Sequence, residues 1–171
     1  MTVVVADTSP LSYLLLIGEI AILQALYGEI LIPPEVLAEL SDVDAPPEVL
    51  QWIRVCPAWL QVRQRRTMQD ETALRHLDPG ERAAILLAQE EGDVLLLIDD
   101  AAGRGEARRY GIPTTGTLGI LRAAAIRQLL DLPPVLQRLA ATNFRVSQNL
   151  VDELLVEDSE RKRRVQGNPT A

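Results

Sequence analysis

At 171 residues the chain is long enough to bury a core of its own, and with Cys56 as its only cysteine it has no intrachain disulfide to rely on, which suits a reducing compartment. Its formal charge of −7 counts against tight duplex binding through a uniformly basic surface, although a locally basic groove stays possible. The apolar stretch from Leu11 to Ile17 is cut by Gly18 and Glu19, well short of a membrane span, and no basic segment precedes Val3, so a soluble, cytoplasmic protein without membrane partners is expected.

Val3, Val4 and Val5 run together as in a strand covered on both faces, and the run leads to Asp7, Thr8 and Ser9. SPLSYLLLIGEIAILQALYG then reads as one helix, with Ser9 as N-cap, Pro10 at the first helical position and Gly28 as its stop. EILIP is a short strand. PPEVLAELSDVDAP is a second helix, with Glu35 near its positive end and Glu39 late in it, and PPEVLQWIR a third. AWLQVRQ is a candidate strand, and 65–77 a connecting region without periodicity. DPGERAAILLAQEEG is a helix opened by Asp78 or Pro79 and closed by Gly92, with Glu81 in its first turn. DVLLLIDD is a second wholly apolar strand, ending in Asp99 and Asp100. AAGRGEARRYG is a short helix, IPTTG a strand edge, and TLGILRAAAIRQLL a helix capped by Thr117; PPVLQRLAATNF and SQNLVDELLVED complete the helices. SERKRRVQGNPTA alternates in charge without apolar period, which predicts a single domain over 1–157 and a disordered tail over 158–171.

Strands alternating with helices predict an α/β fold of three layers, α/β/α, with a mainly parallel central sheet. In such sheets ligands bind beyond the carboxyl ends of the strands. Asp7 and the Asp99–Asp100 pair fall at one edge if their strands are neighbours.

Taken singly, these acids have ordinary explanations: turn formers at strand ends, a solvated helix face for Glu39, a dipole-compensating acid for Glu81. Taken together, Asp7, Glu39, Glu81 and Asp100 suggest convergence. Carboxylates about 5 Å apart repel by roughly 1–3 kcal/mol per pair at effective dielectrics of 80 down to 20. Such a cluster needs a cation or raised pKa values, and a hard divalent ion, Mg2+ or Mn2+, is the natural counter-ion for oxygen ligands. His76 and Cys56 stand alone, too few for zinc.

The order VVADTSPL, LIPPEVLAEL, LDPGERAAILLA and LLLIDDAAGRGEARRYGIPTTGTLGIL resembles the PIN-domain nucleases, which include VapC-type toxins, and is most similar to a little-characterised bacterial and archaeal branch of them. The likeness spans most of residues 3 to 155. It implies a PIN-like fold, a Mg2+- or Mn2+-dependent endoribonuclease acting on RNA, frequent homodimers, and in many members inhibition by a cognate antitoxin protein. By position, it implies Asp7 as first metal ligand, Glu39 as the helix-borne acid, Glu81 as third and Asp100 as fourth, with Asp99 as its neighbour or substitute. Thr8 or Ser9 would hold a carboxylate in place or hydrogen-bond water at the metal. Two positions depart from the pattern: Ile98 stands where many toxins have Thr, and Ala83 where that branch often has a second acid.

A phosphoryl-accepting role for Asp7 of the haloacid-dehalogenase type wants an acid two residues on, where Ser9 stands, and a receiver-like site wants a lysine, of which the chain has one, Lys162, near its end. The GRG of 103–105 lacks the third glycine of a dinucleotide loop, and TTGTLG suits either a phosphate at a helix N-terminus or an ordinary cap at Thr117. Arg104 and Arg108, with Arg109, suit contacts to RNA or an acidic antitoxin segment, or a solvated helix face; the same holds for Arg63, Arg65 and Arg66. Trp52 and Trp59 suggest core or dimer packing.

Overall fold

The computed structural model describes residues 1–167. Packing divides the chain, where the sequence predicts one domain over 1–157, into two compact units, Met1–Thr117 and a second from Leu118 onward.

The first unit holds a five-stranded sheet in the order β3-β2-β1-β4-β5. Its strands are β1 (Val3–Ala6), β2 (Ile30–Ile32), β3 (Leu60–Val62), β4 (Val94–Leu97) and β5 (Thr114–Thr115). Every pairing is parallel; β1 lies in register with β4 from Val3 opposite Val94 to Ala6 opposite Leu97, and Val5 lies opposite Leu31 of β2. Between the strands run α1 (Thr8–Leu16), α2 (Ala21–Tyr27), α3 (Pro34–Leu40), α4 (Pro47–Val55), α5 (Pro79–Glu91) and α6 (Ala101–Arg109).

The pleat explains why β1 and β4 are apolar throughout. Val3, Val5, Leu31, Val94 and Leu96 point to one face, where they pack with Ala84 to Ala88 of α5 and Ala107 of α6. Val4, Ala6, Ile30, Ile32 and Leu97 point the other way and are buried too. Right-handed crossovers put α1–α4 on that second face, because the chain winds from β1 outward to β3 and then returns past β1 to β4 and β5. The result is the predicted three-layer α/β/α fold. Each fully buried Leu or Ile in these layers contributes roughly 1.5–3 kcal/mol.

Three local predictions are corrected. The N-terminal helix starts two residues early, with Asp7 rather than Ser9 in the N-cap position, and it is two helices rather than one, interrupted at Gly18, whose φ is +76°. The segment PPEVLAELSDVDAP is helical only through Leu40. The charged tail is helical through Gln166, and only 168–171 of it lie outside the described residues.

The second unit contains most of α7 (Thr117–Ile126) together with α8 (Leu132–Ala140) and α9 (Gln148–Gln166). Leu132, Val135, Leu136 and Leu139 of α8 and Leu154 of α9 are buried. The charged end of α9 is held by ion pairs. Asp158, 4% exposed, accepts from Arg161 at 2.5 Å and from Lys162 at 2.7 Å, and Lys162 also reaches Asp131 at the start of α8 at 2.5 Å. Charge alternation read along the sequence carries no trace of that long-range pairing.

Candidate active site at the carboxyl edge of the sheet

The chain changes winding direction between β1 and β4, and the carboxyl ends of these adjacent strands make the switch point at which α/β proteins bind ligands. Asp7 follows β1, and its N–H donates to Leu97 O at 2.9 Å, prolonging the ladder. Asp99 and Asp100 follow β4. Because α5 runs back toward the start of β4, its first turn, with Glu81, lies at this same edge.

Asp7 is 2% exposed, and its Oδ1 is buried without a hydrogen-bond partner. Burial, more than any other cause, raises its pKa from 3.8 to about 7; the Glu81 and Glu39 carboxylates add to the rise, while the N–H groups of Thr8 and Ser9 oppose it. Glu39 is clamped at both oxygens: the Thr8 hydroxyl donates to Oε2, and the backbone N–H of Gly80 donates to Oε1 at 2.8 Å. A Cβ on Gly80 would stand 2.6 Å from Glu39 Oε1, so glycine is what lets the helix start approach the carboxylate.

Glu81 occupies the third position of α5 and accepts from the N–H of Asp78, the N-cap residue, at 3.3 Å. Burial chiefly, then the charges of Asp100, Asp78 and Glu39, push its pKa from 4.5 up to about 7, against the hydrogen bond from Asp78. Asp100 caps α6, accepting from the Gly103 N–H at 2.8 Å. The four predicted acids therefore act on one another: Asp7 feels Glu39 and Glu81, and Glu81 feels Glu39 and Asp100. Among the described residues no three Asp, Glu, His or Cys side chains form a finished metal-ligand group.

Asp99 is directed elsewhere. Its Oδ1 accepts from the Thr117 N–H and its Oδ2 from the Thr117 hydroxyl, both at 2.7 Å. Burial raises its pKa; these bonds and the Arg104 charge work in the opposite sense. Arg104 donates to the Asp99 carbonyl oxygen at 2.6 Å, and Arg108 is exposed on α6. Arg63, Arg65 and Arg66 are engaged by Glu91, Glu71 and Glu90 respectively. His76 meets Glu106 at 3.6 Å, and Trp52 packs on Trp59 with ring centres 5.8 Å apart. Two contributors escape the sequence: Gly80, which acts through its backbone, and Thr117 as partner of Asp99, eighteen residues away.

A doubly wound parallel sheet with a chain of interacting acids at its switch point is the architecture of an α/β protein with an acidic carboxyl-edge site. The chain belongs to the PIN-domain family, which residues 3–160 match. PIN domains are generally nucleases, and PIN nucleases typically use divalent metals. No curated protein and no solved structure matches the chain. Among the described residues no helix is long and apolar enough to cross a membrane.

The residues present suit a hard divalent cation. Every donor is an oxygen, and Asp7 Oδ1 is a buried acceptor without a hydrogen-bond partner in a group that feels the charges of Glu39 and Glu81. A cation there would replace the hydration that burial removes.

Proposed function

We propose that the protein is a Mg2+- or Mn2+-dependent endoribonuclease that hydrolyses RNA phosphodiesters at the acidic carboxyl-edge site. The observation that carries this is the orphaned, buried Oδ1 of Asp7 beside the carboxylates of Glu39 and Glu81. Asp7, Glu81 and Asp100 would hold the metal, which when bound supplies charge compensation and activates water for attack on phosphorus. Glu39, fixed by Thr8 and Gly80, lends its charge to the cluster from a set position. Without a cation, burial and the neighbouring carboxylates raise Asp7 and Glu81 to about 7, and a bound cation would favour their ionised forms. Ser9 would support Asp7 through its backbone N–H. Arg108, exposed on the helix that Asp100 caps, would meet a phosphate of the RNA or an acidic segment of a partner protein.

The order of motifs further supports a toxin of a toxin–antitoxin pair, homodimeric, cytoplasmic, and held inactive by a cognate antitoxin. A second reading, a catalytically weak PIN module that binds a partner protein or RNA, is favoured by Ala83 at the place of an additional acid.

Cleavage of single-stranded RNA by purified protein, with Mg2+, with Mn2+ and with chelator, decides between them. The nuclease should cut only with the cation, and Asp7→Asn should cut at least about a hundredfold more slowly. Equal residual cleavage by both proteins, or indifference to metal, would rule the nuclease out.

A further inference from the structure

The two consecutive aspartates after β4 serve different partners. Asp100 faces its own helix start and Glu81, whereas both carboxylate oxygens of Asp99 are taken by Thr117. The seat of Asp99 is built for it. Thr117 is fully buried. A Cβ on Gly116 would stand 2.7 Å from Asp99 Oδ1 and 3.4 Å from the carbonyl oxygen of Ile98, so only glycine there lets the carboxylate in. The Ile98 N–H donates to Thr115 O at 2.9 Å just before, and Arg104 fixes the Asp99 carbonyl just after. The N–H of Thr117, first in α7, has no acceptor within its helix, and Asp99 supplies one. The same contact fills the helix start that the TTGTLG stretch would offer to a phosphate.

We propose that Asp99 is a positioning residue rather than a metal ligand: it locks the end of β4 to the start of α7 and thereby fixes the backbone from which Asp100 faces Glu81. This rests on the reading of Asp100 as an acid of the site. The carboxylate's role is geometric, so an isosteric amide, which keeps one acceptor for the Thr117 N–H, should largely replace it.

The test compares Asp99→Asn, Asp99→Ala, Thr117→Val and Asp100→Asn with the full chain in two measurements. Mn2+ affinity is followed by electron paramagnetic resonance, and exchange of the Thr117 amide by NMR. Asp99→Asn should bind Mn2+ within about threefold of wild type, Asp99→Ala should weaken it about tenfold through displacement of Asp100, and Asp100→Asn by more than about tenfold. Thr117 exchange should rise at least about tenfold in Asp99→Ala and stay within about threefold in Asp100→Asn. Thr117→Val should weaken Mn2+ binding in the manner of Asp99→Ala. If Asp99→Asn loses Mn2+ as fully as Asp100→Asn, Asp99 is a ligand and the proposal falls. It falls equally if Thr117 exchanges alike in wild type and Asp99→Ala. Should the wild type bind no Mn2+ at all, the metal reading of the site fails, and with it the service to Asp100; the exchange data would then show a lock of purely structural purpose.

Discussion

Glu39 Oε1 accepts the backbone N–H of Gly80 at 2.8 Å, joining positions 41 residues apart. This contact connects the acid carried by α3 to the first turn of α5, which carries Glu81. A methyl group at position 80 would collide with the carboxylate that the N–H binds, at 2.6 Å from Oε1. In an ordinary helix Gly→Ala gains about 0.5–1 kcal/mol. Here Gly80→Ala should instead cost about 1–3 kcal/mol, because it displaces a half-buried carboxylate from its donors. Urea unfolding at neutral pH checks the sign; a variant more stable than wild type would mean that the Glu39–Gly80 contact is absent.

Asp7 makes the metal-free protein less stable as pH rises. Its folded pKa, about 7, lies above the unfolded value of 3.8. Between these limits the folded state holds a proton that the unfolded chain releases, so the stabilisation present below pH 3.8 is lost progressively up to about pH 7. Glu81, raised from 4.5 to about 7, works in the same direction. Asp7→Asn should therefore flatten the decline between pH 4 and 8 and be the more stable protein at pH 8 in chelator. Saturating Mn2+ should narrow the difference, stabilising wild type by roughly 2.7 kcal/mol at a concentration a hundred times the dissociation constant. Thermal melts across pH, with and without the ion, measure both effects.

The places where the acids would lie were legible because β1 and β4 are buried on both faces: a run such as Val3 to Val5 or Leu95 to Ile98 can end in a carboxylate only at the sheet edge. The caps of α5, Asp78 and Gly92, were equally readable, since each acts on its own neighbours. The division of labour between Asp99 and Asp100 was not. It depends on Thr117 and on the missing Cβ of Gly116, neither of which is near in sequence. Gly80 was invisible for a different reason: a backbone N–H donates alike from every residue but proline, so the pattern of side chains does not mark it.

The Asp158 cluster carries the opposite pH signature from Asp7. Burial raises the Asp158 pKa, but hydrogen bonds from Lys162 and Arg161 and their charges lower it further, for a net depression. A depressed carboxylate adds stability that is present above the unfolded pKa, near 3.9, and is lost as pH falls through the lower folded value. Asp158→Ala should cost about 1–2 kcal/mol at pH 7, the figure being held down by screening at the partly exposed Lys162. The difference from wild type should shrink toward zero below about pH 3. Circular dichroism melts at the two pH values test this, and an unchanged difference in acid would exclude the ion pairs as its source.

Gly18 decides whether the first apolar segment is one helix or two. Its N–H donates to Leu15 O at 3.1 Å and the Glu19 N–H to Leu14 O at 2.8 Å, the paired bonds of a Schellman stop after Leu16. The apolar pattern continues on both sides of the stop, because Leu11, Leu14, Ile22, Leu23 and Leu26 are all buried; periodicity alone cannot see the break. The break matters to the site, since it sets the length of the helix that Asp7 opens and Thr8 begins. At φ +76° a side chain is strained, while a Cβ there would meet nothing within 4 Å, so the cost of substitution is that of the backbone alone. Gly18→Ala should destabilise by about 1–2 kcal/mol and Gly18→Asn by less, as asparagine tolerates the left-handed region better. A continuous helix would respond the other way, gaining about 0.5–1 kcal/mol from alanine. The denaturation midpoints of the two variants therefore separate the alternatives by sign, and alanine above wild type would restore the single helix.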